Sequence, residues 1–573
     1  MTVLPGPQST SGRSSITALD QPAENDPNNA EKPVDVEKTA GNPAHGPSGG
    51  EGSQYPPIRT VIVIMTGVYF CMFLVALDRT IISTAVPQIT DDFDSLNDVG
   101  WYSSAYLITS CAFQLIYGRI YTFYNTKWVF LASVAIFETG SALCGAAPNS
   151  SSFIGGRALA GLGSSGIFSG VIVIMIPLLP LHKRPMWQGF SGAIFGVSSV
   201  VGPLIGGALT NSVTWRWCFY LNLPIGGFST VIVLLMLHVP SPKEASTTWK
   251  QQAIKLDPLG SLVFLPSIVC LLLALQWGGT QYAWDSGRII ALLVLFGVLF
   301  LTFIGIQLWQ RENATIPPRI IAQRSIAAGL TCSICVGATM MVFIYYLPIW
   351  LQAIKNADAM KSGIMILPLI LSLVIASILA GIVVSKVGYY TPFLLAGTVF
   401  MAIGAGLMTT FKVDTNHAKW IGYQFIYGFG QGMAMQQSGM AAQASLQRKD
   451  IPTGVSLMFF GQSLGGAIFV CVGQSIFSTK LAAGLKTVAG LDPNSVFMSG
   501  ATDLRNAVSA DKLSAVLTAA FIVGTAMATL AFFGALAMEW RSVKKANAEM
   551  MQQAKGGPVL IEAQLAKKFL LFE

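Results

Sequence analysis

Three ionisable side chains sit inside apolar runs, where each costs several kcal/mol and is a functional candidate by default. Asp78 lies in VALDRTIISTAVPQI, Glu138 in VAIFETGSALCGA, and Arg157 near the start of FIGGRALAGLG. Asp78 falls about 25 Å along the first apolar helix at 1.5 Å per residue, in the outer part of a bilayer. Arg157 begins a helix running the other way and reaches a similar depth, while Glu138 falls about 15 Å along its helix, near the midplane. A carboxylate held by a guanidinium keeps its charge, and one facing only apolar atoms prefers its proton. A group that alternates between those surroundings can carry a proton. The competing reading is a static ion pair that orients its helices.

Polar groups elsewhere are neutral. Tyr345, Tyr346, Gln431, Gln436, Gln437 and Gln462 lie in the apolar runs of the C-terminal half, where hydrogen-bonding groups and aromatic faces suit a bulky, largely uncharged ligand. Hydrogen bonding between helices would use the same residues. Gly202, Pro203, Gly206 and Gly207 combine small-residue spacing with a lost helical donor, which gives a helix that packs closely and bends.

Several motifs lead nowhere. Gly161, Gly163 and Gly166 spell G-x-G-x-x-G, but no strand precedes them, so they are packing glycines. The chain has no P-loop. Cys332 and Cys335 form C-x-x-C with no second ligand pair, and the four histidines make no cluster, so no metal and no cofactor is expected. Asn149-Ser150-Ser151 is a glycosylation sequon in a loop only a few residues long, which leaves a glycan little room.

These residues need a scaffold, and composition defines it. Of 573 residues 53% are hydrophobic and 11% charged, against about 25% charged in soluble domains. The net charge of +8 is scattered between apolar runs, which excludes a nucleic-acid surface. The pattern is that of an all-α polytopic membrane protein.

Fourteen runs reach the length a hydrocarbon core demands. They lie near 61–84, 98–117, 128–147, 154–180, 186–209, 217–239, 257–277, 288–309, 326–351, 362–384, 391–411, 420–443, 453–478 and 513–538. Seventeen basic residues fall in alternate segments on the side of the N-terminus and ten in the others, which puts both termini in the cytoplasm.

Gly118-Arg119 through Lys127 is echoed by Gly381 through Lys386, Gly388 and Tyr389, a weak internal repeat. The expected organisation is a disordered tail over 1–57, a six-helix bundle over 58–240, a linker with two inserted helices over 241–324, a second six-helix bundle over 325–540 and a tail over 541–573. Duplicated halves around a midplane cavity are the architecture of a secondary transporter.

Over residues 60–540 the chain resembles the fungal fourteen-span drug:proton antiporters of the major facilitator superfamily, and within them the toxin-efflux pumps. LDRTIISTAVPQI resembles their helix 1 signature, Arg157-Ala-Leu-Ala-Gly161-Leu-Gly163 their helix 4 motif, and Gly202-Pro203-Leu-Ile-Gly206-Gly207 the antiporter motif of helix 5. Trp215-Arg216-Trp217-Cys218-Phe219-Tyr220-Leu221-Asn222-Leu223-Pro224 resembles the segment entering helix 6. One departure is Thr122, where the superfamily's loop between helices 2 and 3 usually has an Asp.

The resemblance implies a proton-coupled exporter of a toxin, drug or secondary metabolite, with Arg157 in proton transfer and the helix 5 motif in gating; Asp78, with Glu138 second, is the protonation site that the charges in the apolar runs suggest. It implies a small amphipathic or apolar substrate, a monomer and the plasma membrane, with a vacuolar or vesicle membrane as the alternative. An importer or vacuolar carrier of siderophores or basic amino acids is the competing transport reading. An integral-membrane enzyme or receptor is the remote one.

Overall fold

The computed structural model describes residues 55–95, 98–238, 255–279, 281–357, 359–485 and 510–555. The N-terminal tail up to residue 54, residues 96–97, the first part of the expected linker with the two residues before it (239–254), residues 280 and 358, the segment 486–509 and the last residues from 556 lie outside the described part.

In hydrocarbon every backbone group must be satisfied within its own segment, and the apolar runs accordingly form helices. The first seven are α1 Ile58–Phe93, α2 Val99–Phe123, α3 Thr126–Ala146, α4 Ser150–Leu178, α5 Arg184–Ser212, α6 Trp217–Tyr220 and α7 Asn222–Met236. Next come α8 Pro258–Trp277, α9 Gly287–Gln310 and α10 Pro318–Ile321. They are followed by α11 Arg324–Lys355, α12 Ala359–Met365, α13 Leu367–Val387, α14 Thr391–Met408, α15 His417–Ala434 and α16 Gln437–Ser445. The series closes with α17 Ile451–Leu485, α18 Ala510–Leu536 and α19 Val543–Lys555.

Among the described residues twelve helices are long and apolar enough to cross a membrane, against an expectation of fourteen. The shortfall lies at α2 and at α15 with α16. These segments bury polar side chains, Ser104, Ser110 and Gln114 in α2 and Gln424 and Gln431 in α15, which dilute their apolar character.

Helices α1 to α7 pack on one another, with α4 against α2 and α3, and α1 against α5 and α7. Helices α11 to α18 do the same, with α11 between α17 and α18, and α15 against α13 and α14. The two groups meet along two seams, α5 on α13 and α2 on α17. At each seam a glycine permits close approach: a Cβ on Gly118 of α2 would press on Ser456, and one on Gly381 of α13 on the carbonyl of Pro185. The weak repeat read in the sequence therefore places equivalent glycines at the two crossings.

The inserted pair covers the α2–α17 seam. Phe264 of α8 lies 4.8 Å from Phe303 of α9 and 5.6 Å from Phe460 of α17, ring centre to ring centre. Helix α9 buries little of its apolar surface, leaving Val294, Val298 and Leu301 exposed as befits a lipid-facing helix.

Asp257 anchors the pair, its carboxylate accepting from the Gly260 N–H at 2.7 Å, Gln307 Nε2 at 2.7 Å and both the N–H and hydroxyl of Thr315 at 2.8 Å. The connecting segment is gripped from both halves. Arg119 donates to the carbonyls of Lys255 at 2.7 Å and Asn313 at 3.1 Å, and Arg319 makes a forked pair with Asp450 at 2.7 and 2.9 Å. Hydrogen bonding to Asp450 raises the proton affinity of Arg319 above its already high ordinary value.

Part of the C-terminal tail is an ordered helix. In α19 Val543 is buried and its N–H donates to the Gly388 carbonyl, while Asn547 Oδ1 accepts from the Leu181 N–H at 2.9 Å.

Candidate functional site

Asp78 and Arg157, 79 residues apart in sequence, form a salt bridge between α1 and α4 with Nη1 2.6 Å from Oδ2. The two side chains are 0% and 1% exposed. Arg157 is held at a second point, its Nε donating to the Tyr102 carbonyl at 2.9 Å, and its guanidinium lies over the Tyr106 ring at 4.6 Å. The other carboxylate oxygen of Asp78 has no hydrogen-bond partner among the described residues.

Glu138 is not part of that pair. Both of its oxygens are buried without a hydrogen-bond partner, and it faces α7, where a Cβ on Gly226 would overlap Glu138 Oε1. Glycine at 226 thus makes the space the carboxyl occupies. Beside it Asn222 Nδ2 donates to Ser141 Oγ at 3.0 Å.

The helix 5 motif lies directly against the charged pair's helix. A Cβ on Gly202 would overlap the hydroxyl of Thr80, and one on Gly206 that of Thr84, both within two turns of Asp78. The Thr80 hydroxyl bonds the Ser198 carbonyl at 3.1 Å, tying α1 to α5 just before Pro203. Gly207 points into open space.

The residues picked for the substrate cavity divide. Gln436 and Gln462 line a narrow cleft of about 10 Å³ between the halves, together with Ile172 of α4, Met435, Met458 and Phe459. Gln431 is buried and donates to the Val336 carbonyl at 3.3 Å. Tyr346 is buried and donates to the Val470 carbonyl at 3.1 Å, whereas Tyr345 is half exposed with its ring 5.1 Å from that of Tyr346. None of these three lines the cleft. Asn149 is exposed and caps α4, accepting from the Ser152 N–H at 2.9 Å.

Sequence reasoning passed over Arg79, the residue after Asp78. Its Nη2 donates to Ser110 Oγ at 3.0 Å and its guanidinium lies over the rings of Phe168 at 4.9 Å and Tyr106 at 5.4 Å. The signal was present, since Arg79 is a second charge inside the same apolar run. A hydroxyl chain was also missed: Gln114 Nε2 donates to Ser169 Oγ at 2.6 Å, which meets Ser456 Oγ of the other half at 2.9 Å.

Among the described residues, several hydrogen bonds join the halves. Thr122 meets Thr453 at 3.3 Å, Arg184 donates to Gln443 at 3.4 Å, Ser385 Oγ accepts from the Met186 N–H at 3.1 Å, and Ser377 donates to the Gly189 carbonyl at 3.1 Å. The first half is also stapled within itself by Trp215 Nε1 to Asp92 at 2.8 Å and Arg216 to the Ala147 carbonyl at 2.8 Å.

Two helical bundles that meet along two seams, one of them burying a charged pair, make up this multi-pass membrane protein. The chain belongs to the Major Facilitator Superfamily, whose family model matches residues 68–470. It is 53% identical over 509 residues to the MFS-type transporter VdtG of Byssochlamys spectabilis, covering 88% of this chain and 92% of that protein. It is 51% identical over 499 residues to the rubrofusarin-specific efflux pump aurT of Gibberella zeae, covering 86% and 92%. Among solved structures, the proton:xylose symporter XylE bound to 6-bromo-6-deoxy-D-glucose shares the fold with a TM-score of 0.55 at 13% identity, covering 85% of this chain and 99% of that one.

Proposed function

We propose that the protein exports a secondary metabolite or toxin across the plasma membrane in exchange for protons, with fourteen crossings and both termini in the cytoplasm. The observation that carries this is the buried Asp78–Arg157 pair with its bare carboxylate oxygen. Protonation of Asp78 weakens its hold on Arg157, and Tyr102 and Tyr106 keep the guanidinium in place while the pair is relaxed. Glu138, buried without a hydrogen-bond partner, is a second proton acceptor in the same bundle. The bundle over 58–240 rocks against that over 325–540, and the close contact of α1 with α5 at Gly202 and Gly206 transmits the change at Asp78 to the seam with α13.

With the positive-inside orientation, Thr122, Arg184 and Thr453 are cytoplasmic, so the contacts they make close that end and this arrangement is the outward-facing side of the cycle. Export of a partly apolar compound agrees with the efflux pump among the relatives. The cleft is lined by Gln, Ser, Met, Phe and aliphatic residues with no acid, which fits a neutral or weakly polar cargo better than a cationic one.

Deleting the gene should raise the intracellular level of such a compound and sensitise the cell to it, and a proton uncoupler should reproduce the effect in the intact strain. A deletion strain that accumulates nothing and instead starves for an external nutrient would overturn the reading.

A further inference from the structure

The charges around the site do not balance. Asp78 and Arg157 neutralise each other, but Arg79 projects from the same helix about 100° around it from Asp78 and has no carboxylate partner among the described residues. Among the described residues its side chain bonds only the neutral hydroxyl of Ser110, which already accepts from Ser164 at 3.0 Å, and its buried Nε has no partner. A guanidinium in the membrane interior with spare donors and no counter-ion is held at a cost that function must justify.

Its surroundings connect it to the cleft. The Phe168 ring beneath the guanidinium is 6.0 Å from the ring of Phe459, and Phe168 and Met435 both pack against the small cluster of Ala76, Phe195 and Met340. Phe459 and Met435 both line the cleft between the halves. Arg79 thus stands one aromatic ring behind the cavity wall, between the faces of Tyr106 and Phe168.

We infer that Arg79 is a substrate-selecting residue whose guanidinium receives one acidic oxygen, a carboxylate or an ionised phenol, of an otherwise apolar aromatic cargo. The planar donor fork suits an oxyanion, and the rings of Tyr106, Phe168 and Phe459 suit a flat body lying beside it. The inference rests on the export reading and replaces its neutral or weakly polar cargo with an anionic one, flat and carrying a single acid group. The lone cation supplies what the Gln- and Met-lined wall does not.

The test compares two probes of one shape, 2-naphthoate and its neutral amide 2-naphthamide, by equilibrium binding of each tritiated compound to the purified full-length protein without any pH gradient. The wild type should bind the naphthoate roughly 10- to 100-fold more tightly than the amide, the range a charge-assisted hydrogen bond provides. Arg79→Gln should abolish that preference while keeping the affinity for the amide, which also reports that the variant is folded. Arg79→Lys should retain part of the preference, and Ser110→Ala, which frees the guanidinium from its only hydroxyl, should reduce it a few-fold. Equal affinities in the wild type, no binding of either probe, or an undiminished preference in Arg79→Gln would each overturn the inference. Because the measurement uses no gradient, a preserved naphthoate preference in a protein that fails to transport would count against export and leave this assignment standing.

Discussion

At the scale of single residues, the site depends on a guanidinium held from two directions. Arg157 spends Nη1 on Asp78 and Nε on the Tyr102 carbonyl, so its orientation is fixed whatever the charge on Asp78. Lysine offers a point charge and cannot reach both acceptors in that geometry. Arg157→Lys should therefore lower transport by at least about tenfold and cost roughly 1.5–3 kcal/mol of stability, the worth of one hydrogen bond to a charged group. Transport by quantified, inserted protein together with its thermal unfolding checks this, and wild-type values in both would reduce the pair to a helix spacer. The same pair shows what the sequence discloses. Asp78 and Arg157 were legible because charges are rare in apolar runs, and their opposed positions in antiparallel helices put them at one depth. Arg79 escaped because it stands beside a more obvious charge. The placement of Tyr345 and Tyr346 on different surfaces of α11 depends on how that helix is rotated against α17, which apolar periodicity alone leaves open.

At the scale of elements, α5 is the part whose small residues have a direction. Gly202 and Gly206 face Thr80 and Thr84 of α1, and Gly207 faces nothing, although the sequence presents all three as one motif. Gly206→Leu should thus drive α5 from α1, costing about 1–3 kcal/mol by overpacking and slowing the transport cycle more than it weakens ligand binding. Gly207→Leu should leave both unchanged. Equal effects of the two substitutions on transport would mean that close approach to α1 is not what the motif supplies. A spacing of four marks small residues as a stripe, but the partner beneath each is set by the tertiary crossing. The tail beyond Arg541 gave no sign of packing, and α19 docks there because Asn547 caps the Leu181 turn and Ser542 and Val543 pair with the segment at Gly388.

At the scale of the molecule, two bundles touch along α5–α13 and α2–α17 and are joined by short polar contacts. Thr122 stands where the resemblance led one to expect an acid, and its hydroxyl reaches Thr453 of the other half at 3.3 Å. Cysteines introduced together by Thr122→Cys and Thr453→Cys should cross-link in the membrane and stop transport until a reductant is added. Failure to cross-link, or unimpaired transport by the cross-linked protein, would show that this contact need not open. The all-helical membrane fold was readable from the length of the apolar runs, whereas the polar contacts that join the halves were not, since they rest on side chains far apart in the chain. In the proposed cycle a proton on Asp78 drives export. The direct measurement is efflux-direction transport by purified protein in sealed vesicles under an imposed pH gradient, comparing wild type with Asp78→Asn, which keeps the shape and removes the titration. Gradient-driven accumulation by the wild type and its loss in a folded, inserted Asp78→Asn protein are the predicted result. Accumulation at the wild-type rate and with the same pH dependence in Asp78→Asn would contradict it.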